Sequence, residues 1–108
     1  MKDGLYKVQF QTPLGAGTGV IHALAGKLWG GDAGLYYVGT YSQNGDQVSA
    51  SVSTARHTAD PSIVPVFGRD QVTIALIGKT SGDTVQFTGS APEAPGVGFA
   101  ARATLIAG

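Results

Sequence analysis

The 108-residue sequence has no cysteine. That excludes disulfides and thiolate metal sites, so the fold must be held by its core. Charge is also scarce: 13% of residues are Asp, Glu, Lys or Arg, about half the usual share. The seven basic and seven acidic residues cancel, and no stripe of Lys or Arg exists to follow a phosphate backbone. Nucleic-acid binding is therefore not expected. Long apolar runs are missing as well. Nothing approaches the roughly 20 residues of a membrane helix, and the opening MKDGLYKVQF alternates where a signal peptide would be continuous. A cytoplasmic protein with no membrane partner is the expectation. The last absence is helical spacing: residues 14–28 come nearest to an apolar stripe, but Gly15, Gly17 and Gly19 oppose a helix there.

What is present is period two. Tyr6, Val8 and Phe10 alternate with Lys7, Gln9 and Gln11; Val48, Ala50 and Val52 with Ser49, Ser51 and Ser53. Val72, Ile74 and Leu76 alternate with Thr73, Ala75 and Ile77, and Val85 and Phe87 with Thr84, Gln86 and Thr88. Such alternation marks strands with one buried face. Turn residues punctuate the pattern at TPLG (12–15), AGK (25–27), GGDAG (30–34), QNGD (43–46), SGD (81–83) and SAPEAPG (90–96). Asn44-Gly45 is the strongest hairpin signal, since both residues accept positive φ. Strands are predicted at 4–12, 16–25, 27–31, 34–43, 46–57, 70–79, 83–90 and 97–107. Thr58–Arg69 is the one long connection, with room for a helical turn or an irregular strand.

Short connections favour an up-and-down order. Eight strands left open would expose two edges, and closure removes them. The expected architecture is a single all-β domain over residues 1–108: an eight-stranded antiparallel up-and-down barrel. Eight strands enclose either a filled core or room for one small ligand. The inward set expected to line that interior is Tyr6, Val8, Phe10, Val52, Ile74, Leu76, Phe87 and Phe99. Alanines on the strands (Ala50, Ala75, Ala101, Ala103) fill little volume and favour a void.

The glycines do not form a phosphate loop. GAGTGV (15–20) does not fit G-x-G-x-x-G, and no helix follows it. Gly15, Gly17 and Gly19 share one strand face and mark a bend or a close approach, as do Gly39 and Gly89. Gly39 lies between Tyr37 and Tyr41, where a neighbouring ring could cover it. In the cluster Trp29, Tyr36, Tyr37 and Tyr41, rings are expected on both sides of the wall, and outward ones would suit a protein interface.

No catalytic constellation is visible. His22 and His57 lie on different strands without ligand spacing. The carboxylates of Asp3, Asp32, Asp46, Asp60, Asp70, Asp83 and Glu93 are scattered, mostly in turns, and no G-x-S-x-G elbow exists. Arg56, Arg69 and Arg102 could pair with Asp60 and Asp70, at the surface more than inside, and alternation puts Arg102 outside. No catalytic residue, metal ligand or cofactor site is assigned, and the protein is read as a non-enzyme.

The segments GVIHALAGKLWGGDAGLYYVGTY, DQVSASVSTARHT, VFGRDQVTIALIGKTSGDTVQFTGSA and FAARATLI, with the opening MKDGLYKVQF, resemble the GrlR-like family across nearly the whole chain. Its most specific part is Gly30-Gly31-Asp32 with Tyr37, Gly39 and Tyr41, then Gly45-Asp46, Val66-Phe67-Gly68 and Gly82-Asp83. The resemblance implies a lipocalin-like barrel, a homodimer, and a negative regulator of type III secretion that sequesters a transcriptional activator through an acidic surface motif. This sequence departs from that motif: QNGDQ offers Asp46 alone, so no partner-binding residue is carried over. Two functions remain in view, the first as the main expectation and the second as its alternative. One is a regulator acting through a protein partner. The other is a binder of a small apolar or lipid ligand.

Overall fold

In the computed structural model, which describes residues 1–108, the alternating segments are strands, and each pairs antiparallel with its sequence neighbours. They are β1 (Gly4–Thr12), β2 (Gly15–Leu24), β3 (Lys27–Gly31), β4 (Leu35–Asn44), β5 (Gln47–Arg56), β6 (Val72–Ser81), β7 (Thr84–Ser90) and β8 (Phe99–Ala107). β8 returns to pair with β1, from Leu5 with Ala107 to Gln11 with Ala100, and the sheet closes. The protein is all-β, an eight-stranded antiparallel barrel of the expected class. Closure gives every strand two neighbours, which removes full edge strands, although Gly15–Gly19 of β2 runs past the short β3 and is paired with β1 alone.

The predicted strand ends fall within two residues of those observed. Two local expectations need correction. The β4–β5 hairpin turns on Gly45-Asp46, because Asn44 pairs with Gln47 and only Gly45 has positive φ (64°). A glycine at the first central position, followed by a residue with negative φ, gives the II′ geometry rather than I′. The β6–β7 hairpin repeats the solution with Gly82-Asp83. Thr58–Arg69 contains neither helix nor strand: it folds as turns, closed by Ile63 N–H to the Asp60 carbonyl (3.1 Å) and Gly68 N–H to the Pro65 carbonyl (2.9 Å).

The interior is apolar. Every residue in the buried set with a side chain is hydrophobic, from Tyr6 and Val48 at one end to Phe67 and Phe99 at the other. Outward positions are mostly polar, including Gln9, Gln11, Ser51, Thr73, Lys79, Gln86 and Arg102. That is the inverse of a transmembrane barrel, whose apolar band faces out. No helix of the chain is long and apolar enough to cross a membrane.

Large and small residues are matched across the wall. Phe10 pairs with Gly17 on β2 and Ala101 on β8; Phe87 pairs with Gly78 on β6 and again with Ala101. The rings lie over the glycines. A Cβ added to Gly17 would meet Phe10 Cε2 at 2.7 Å, and one added to Gly78 would meet Phe87 Cδ1 at 2.5 Å. Tyr37 covers Gly19 in the same way, its hydroxyl 2.9 Å from where a Cβ would lie. Gly39 marks a close approach, one of the two roles expected for it: its missing Cβ would collide first with the backbone of Ser51 and Val52 on β5, and not with a neighbouring ring.

Candidate binding cavity

The packing just described leaves a void. Phe10 leans onto β2 and Phe87 onto β6, both away from the alanines of β8 between them. Ala101 and Ala103 thus face open space. The resulting cavity has a volume of about 480 Å³ and a mainly apolar lining, with Thr18, Asp32, Thr54, Ser62 and Arg69 among its polar members, within the range of small-molecule sites.

Of the residues expected inside, Val8, Phe10, Val52, Ile74, Leu76, Phe87 and Phe99 line this cavity. Tyr6 does not. It is buried below, 1% exposed, with its hydroxyl donating to the Lys2 carbonyl at 2.6 Å. Its ring belongs to the closed end of the barrel, where the turns Ala25-Gly26, Gly45-Asp46 and Gly82-Asp83 cluster. Met1 also reaches the cavity, and Lys2 bonds Asp83 at 2.6 Å beside it.

Sequence reasoning missed two groups of lining residues. Ile21, Leu28, Leu35, Tyr37 and Val72 continue the inward alternation on β2, β3, β4 and β6. The other group comes from the β5–β6 loop: Ile63, Val64, Pro65, Val66, Phe67 and Arg69. The signal for it was present, since SIVPVF is an apolar run in a connection whose other residues are mostly polar.

That loop crosses the open end as a lid. Val66 and Phe67 are buried, and the Phe67 ring stacks on Phe99 with centroids 5.4 Å apart. Phe99 in turn stacks on Phe10 (6.2 Å), which meets Tyr37 edge-on (6.1 Å). Arg56, the last residue of β5, organises the lid. Its guanidinium donates to the carbonyls of Thr58 (3.2 Å), Asp60 (3.4 Å) and Ile63 (2.8 Å), and pairs with the Asp70 carboxylate at 2.9 Å. One planar fork thereby binds both ends of the loop. Asp60 contributes only its carbonyl to Arg56; its carboxylate accepts from Ser62 N–H (2.9 Å) and Ser62 hydroxyl (2.7 Å). Two threonines finish the attachment, Thr12 donating to the Val66 carbonyl and Thr54 to the Asp70 carbonyl (2.7 Å).

Asp32 forms the opposite lip. One carboxylate oxygen accepts from Gly34 N–H (2.9 Å) and Leu35 N–H (2.8 Å), the other from the Tyr37 hydroxyl. Burial alone would raise the Asp32 pKa. The Tyr37 hydroxyl, the two N–H donors and the charge of His57 outweigh it and hold the carboxyl below its ordinary value. Burial, followed by the bond to Asp32, drives the Tyr37 hydroxyl well above the usual tyrosine range. Tyr37 therefore stays a donor and Asp32 stays charged.

The histidines are far from sharing a task. His57 bonds the Asp32 carbonyl (Nε2, 3.0 Å) and the Thr58 hydroxyl (Nδ1, 2.6 Å) at the rim. His22 meets Trp29 edge-on, centroids 4.6 Å apart, on the outer wall. No three His, Asp or Glu side chains gather in one place. The polar groups of the rim hold loops, and the cavity below presents carbon. The arrangement suits binding.

A second surface lies outside. The register places His22 opposite Trp29 and Trp29 opposite Val38, with Tyr36 opposite Gly31. Val20, Leu24, Trp29, Tyr36 and Val38 are all exposed, which makes an apolar patch across β2–β4. Tyr37 is buried inside and Tyr41 half-buried against the core.

No family model matches the chain, and no curated protein matches it.

Proposed function

We propose that this protein is a non-catalytic binding barrel that takes up a small apolar or lipid-like molecule. The observation that carries this reading is the cavity of about 480 Å³, lined mainly by apolar side chains and crossed by a loop. A protein of this size gains nothing in stability from an unfilled interior, since each void forfeits contacts its lining could make. A ligand of matching shape would recover them. The test is uptake: delipidated protein titrated with an environment-sensitive apolar dye, and freshly purified protein examined by native mass spectrometry for a retained small molecule. Saturable dye binding displaced by an alkyl ligand supports the reading. A protein that carries nothing and neither enhances the dye nor binds alkyl ligands overturns it.

The outer patch supports a second reading, contact with a protein. Aromatic residues with few charges are what interface centres contain. A homodimer through β2–β4, or a transcriptional regulator as partner in the manner of the GrlR-like family, would cover Trp29, Tyr36 and Val38. Val38→Glu should leave a dimer monomeric in sedimentation while the barrel stays folded. Wild-type protein that is monomeric at all accessible concentrations removes the homodimer.

A further inference from the structure

The rim of the cavity holds one cation without a counter-charge. Arg69 lines the cavity beside Phe67, and it makes no ion pair. Its single protein hydrogen bond runs from one guanidinium nitrogen to the Glu93 carbonyl at 2.9 Å. The remaining donors of the fork are free. Every other charged group around the lid is engaged. Arg56 is bound to Asp70 and three carbonyls. Asp32 is capped by Tyr37 and two N–H groups, and Asp60 by Ser62. Glu93 turns its carboxylate to the Thr73 N–H (3.2 Å). Rim carboxylates outnumber cations, yet each carboxylate already accepts bonds, whereas Arg69 still offers them.

Below Arg69 the lining changes to carbon. Phe67 and Phe99 stack at the entrance, and Leu76, Phe87, Ala101 and Ala103 surround the space beneath. One polar fork above one apolar well is a layout for an amphiphile. A planar guanidinium matches a carboxylate in two-point geometry. Resting on the cavity reading above, we propose that the ligand class is a medium-chain carboxylate: the acid group pairs with Arg69 at the rim, and the alkyl tail fills the well against Ala101 and Ala103. Arg69 is exposed, so the pair is partly solvated and gives selectivity more than affinity.

The test compares three probes of one chain length by calorimetric titration of delipidated protein: dodecanoate, dodecanol and dodecyltrimethylammonium. Dodecanoate should bind about fivefold more tightly than dodecanol, as an exposed ion pair allows, and the cationic probe most weakly. Arg69→Gln should bring the ratio of dodecanoate to dodecanol affinity to about one, with Arg69→Lys retaining part of the preference. Equal affinity for acid and alcohol in the wild type overturns the headgroup assignment and leaves the cavity reading standing, as does a preference that survives Arg69→Gln. Failure of all three probes to bind overturns both.

Discussion

If the space beside β8 is open, enlarging an alanine there should stabilise the barrel, while the same change elsewhere inside should harm it. Ala101 lines the cavity, between two rings that lean away from it. Ala23 is also inward and 0% exposed, but it is outside the cavity lining and packed between Gly4 and Leu28. Ala→Leu adds the equivalent of three methylenes, worth at most about 2.4 kcal/mol of burial. Fixing the new side chain costs about 0.5–1 kcal/mol. Ala101→Leu should therefore gain about 1–2 kcal/mol, a rise of roughly 5–10 °C in Tm. Ala23→Leu should lose about 1–3 kcal/mol through overpacking. Both are measured on delipidated protein by urea and thermal unfolding, with the urea m-value checked for constancy. Ala101→Leu should also reduce uptake of the apolar dye, because the added group occupies the ligand's place. Equal destabilisation of the two variants would refute the reasoning, since it would mean that β8 faces packed side chains and no void.

Gly39→Ala should lose about 1–3 kcal/mol in urea unfolding, because its Cβ would strike the β5 backbone, whereas Gly15→Ala, with nothing within 4 Å, should be neutral or gain about 0.5 kcal/mol. The Tyr37 pKa is raised on folding, so its contribution is complete below the unfolded value near 10 and declines as pH rises beyond it; the wild type should lose up to about 1.4 kcal/mol per pH unit there for this group, with Tyr6, raised chiefly by burial, adding to the fall. Tyr37→Phe should make that alkaline limb shallower in chemical unfolding followed against pH. Asp32 has the opposite sign: its lowered pKa contributes above the ordinary carboxylate range and is lost as pH falls through the folded value, so Asp32→Asn should flatten the acid limb. Arg56→Met should free the lid, seen as faster hydrogen exchange at the Ile63 and Gly68 amides with the β1–β8 ladders still protected.

Alternation along the chain determined which side chains face in, because a strand's side chains reverse at every residue. That is why Val8, Phe10, Val52 and Phe87 could be assigned inward from their neighbours alone. Glycine-centred turns likewise announced most of the tight connections. Period two, however, is blind to a pairing shifted by two. Placing the turn at Asn44-Gly45 would set Tyr41 beside Val48, and placing it at Gly45-Asp46 sets Tyr41 beside Ala50; both keep the same faces buried, and the structure adopts the second. The cavity was less accessible still. Its size depends on where rings lie within the enclosed space, and Phe10 and Phe87 lie over glycines contributed by β2 and β6. The lid depends on Arg56 reaching carbonyls up to seven residues ahead. Facing is a local property of the backbone, so the sequence determined it; pairing register, empty volume and loop attachment are relations between distant segments, and only the closed barrel decided them.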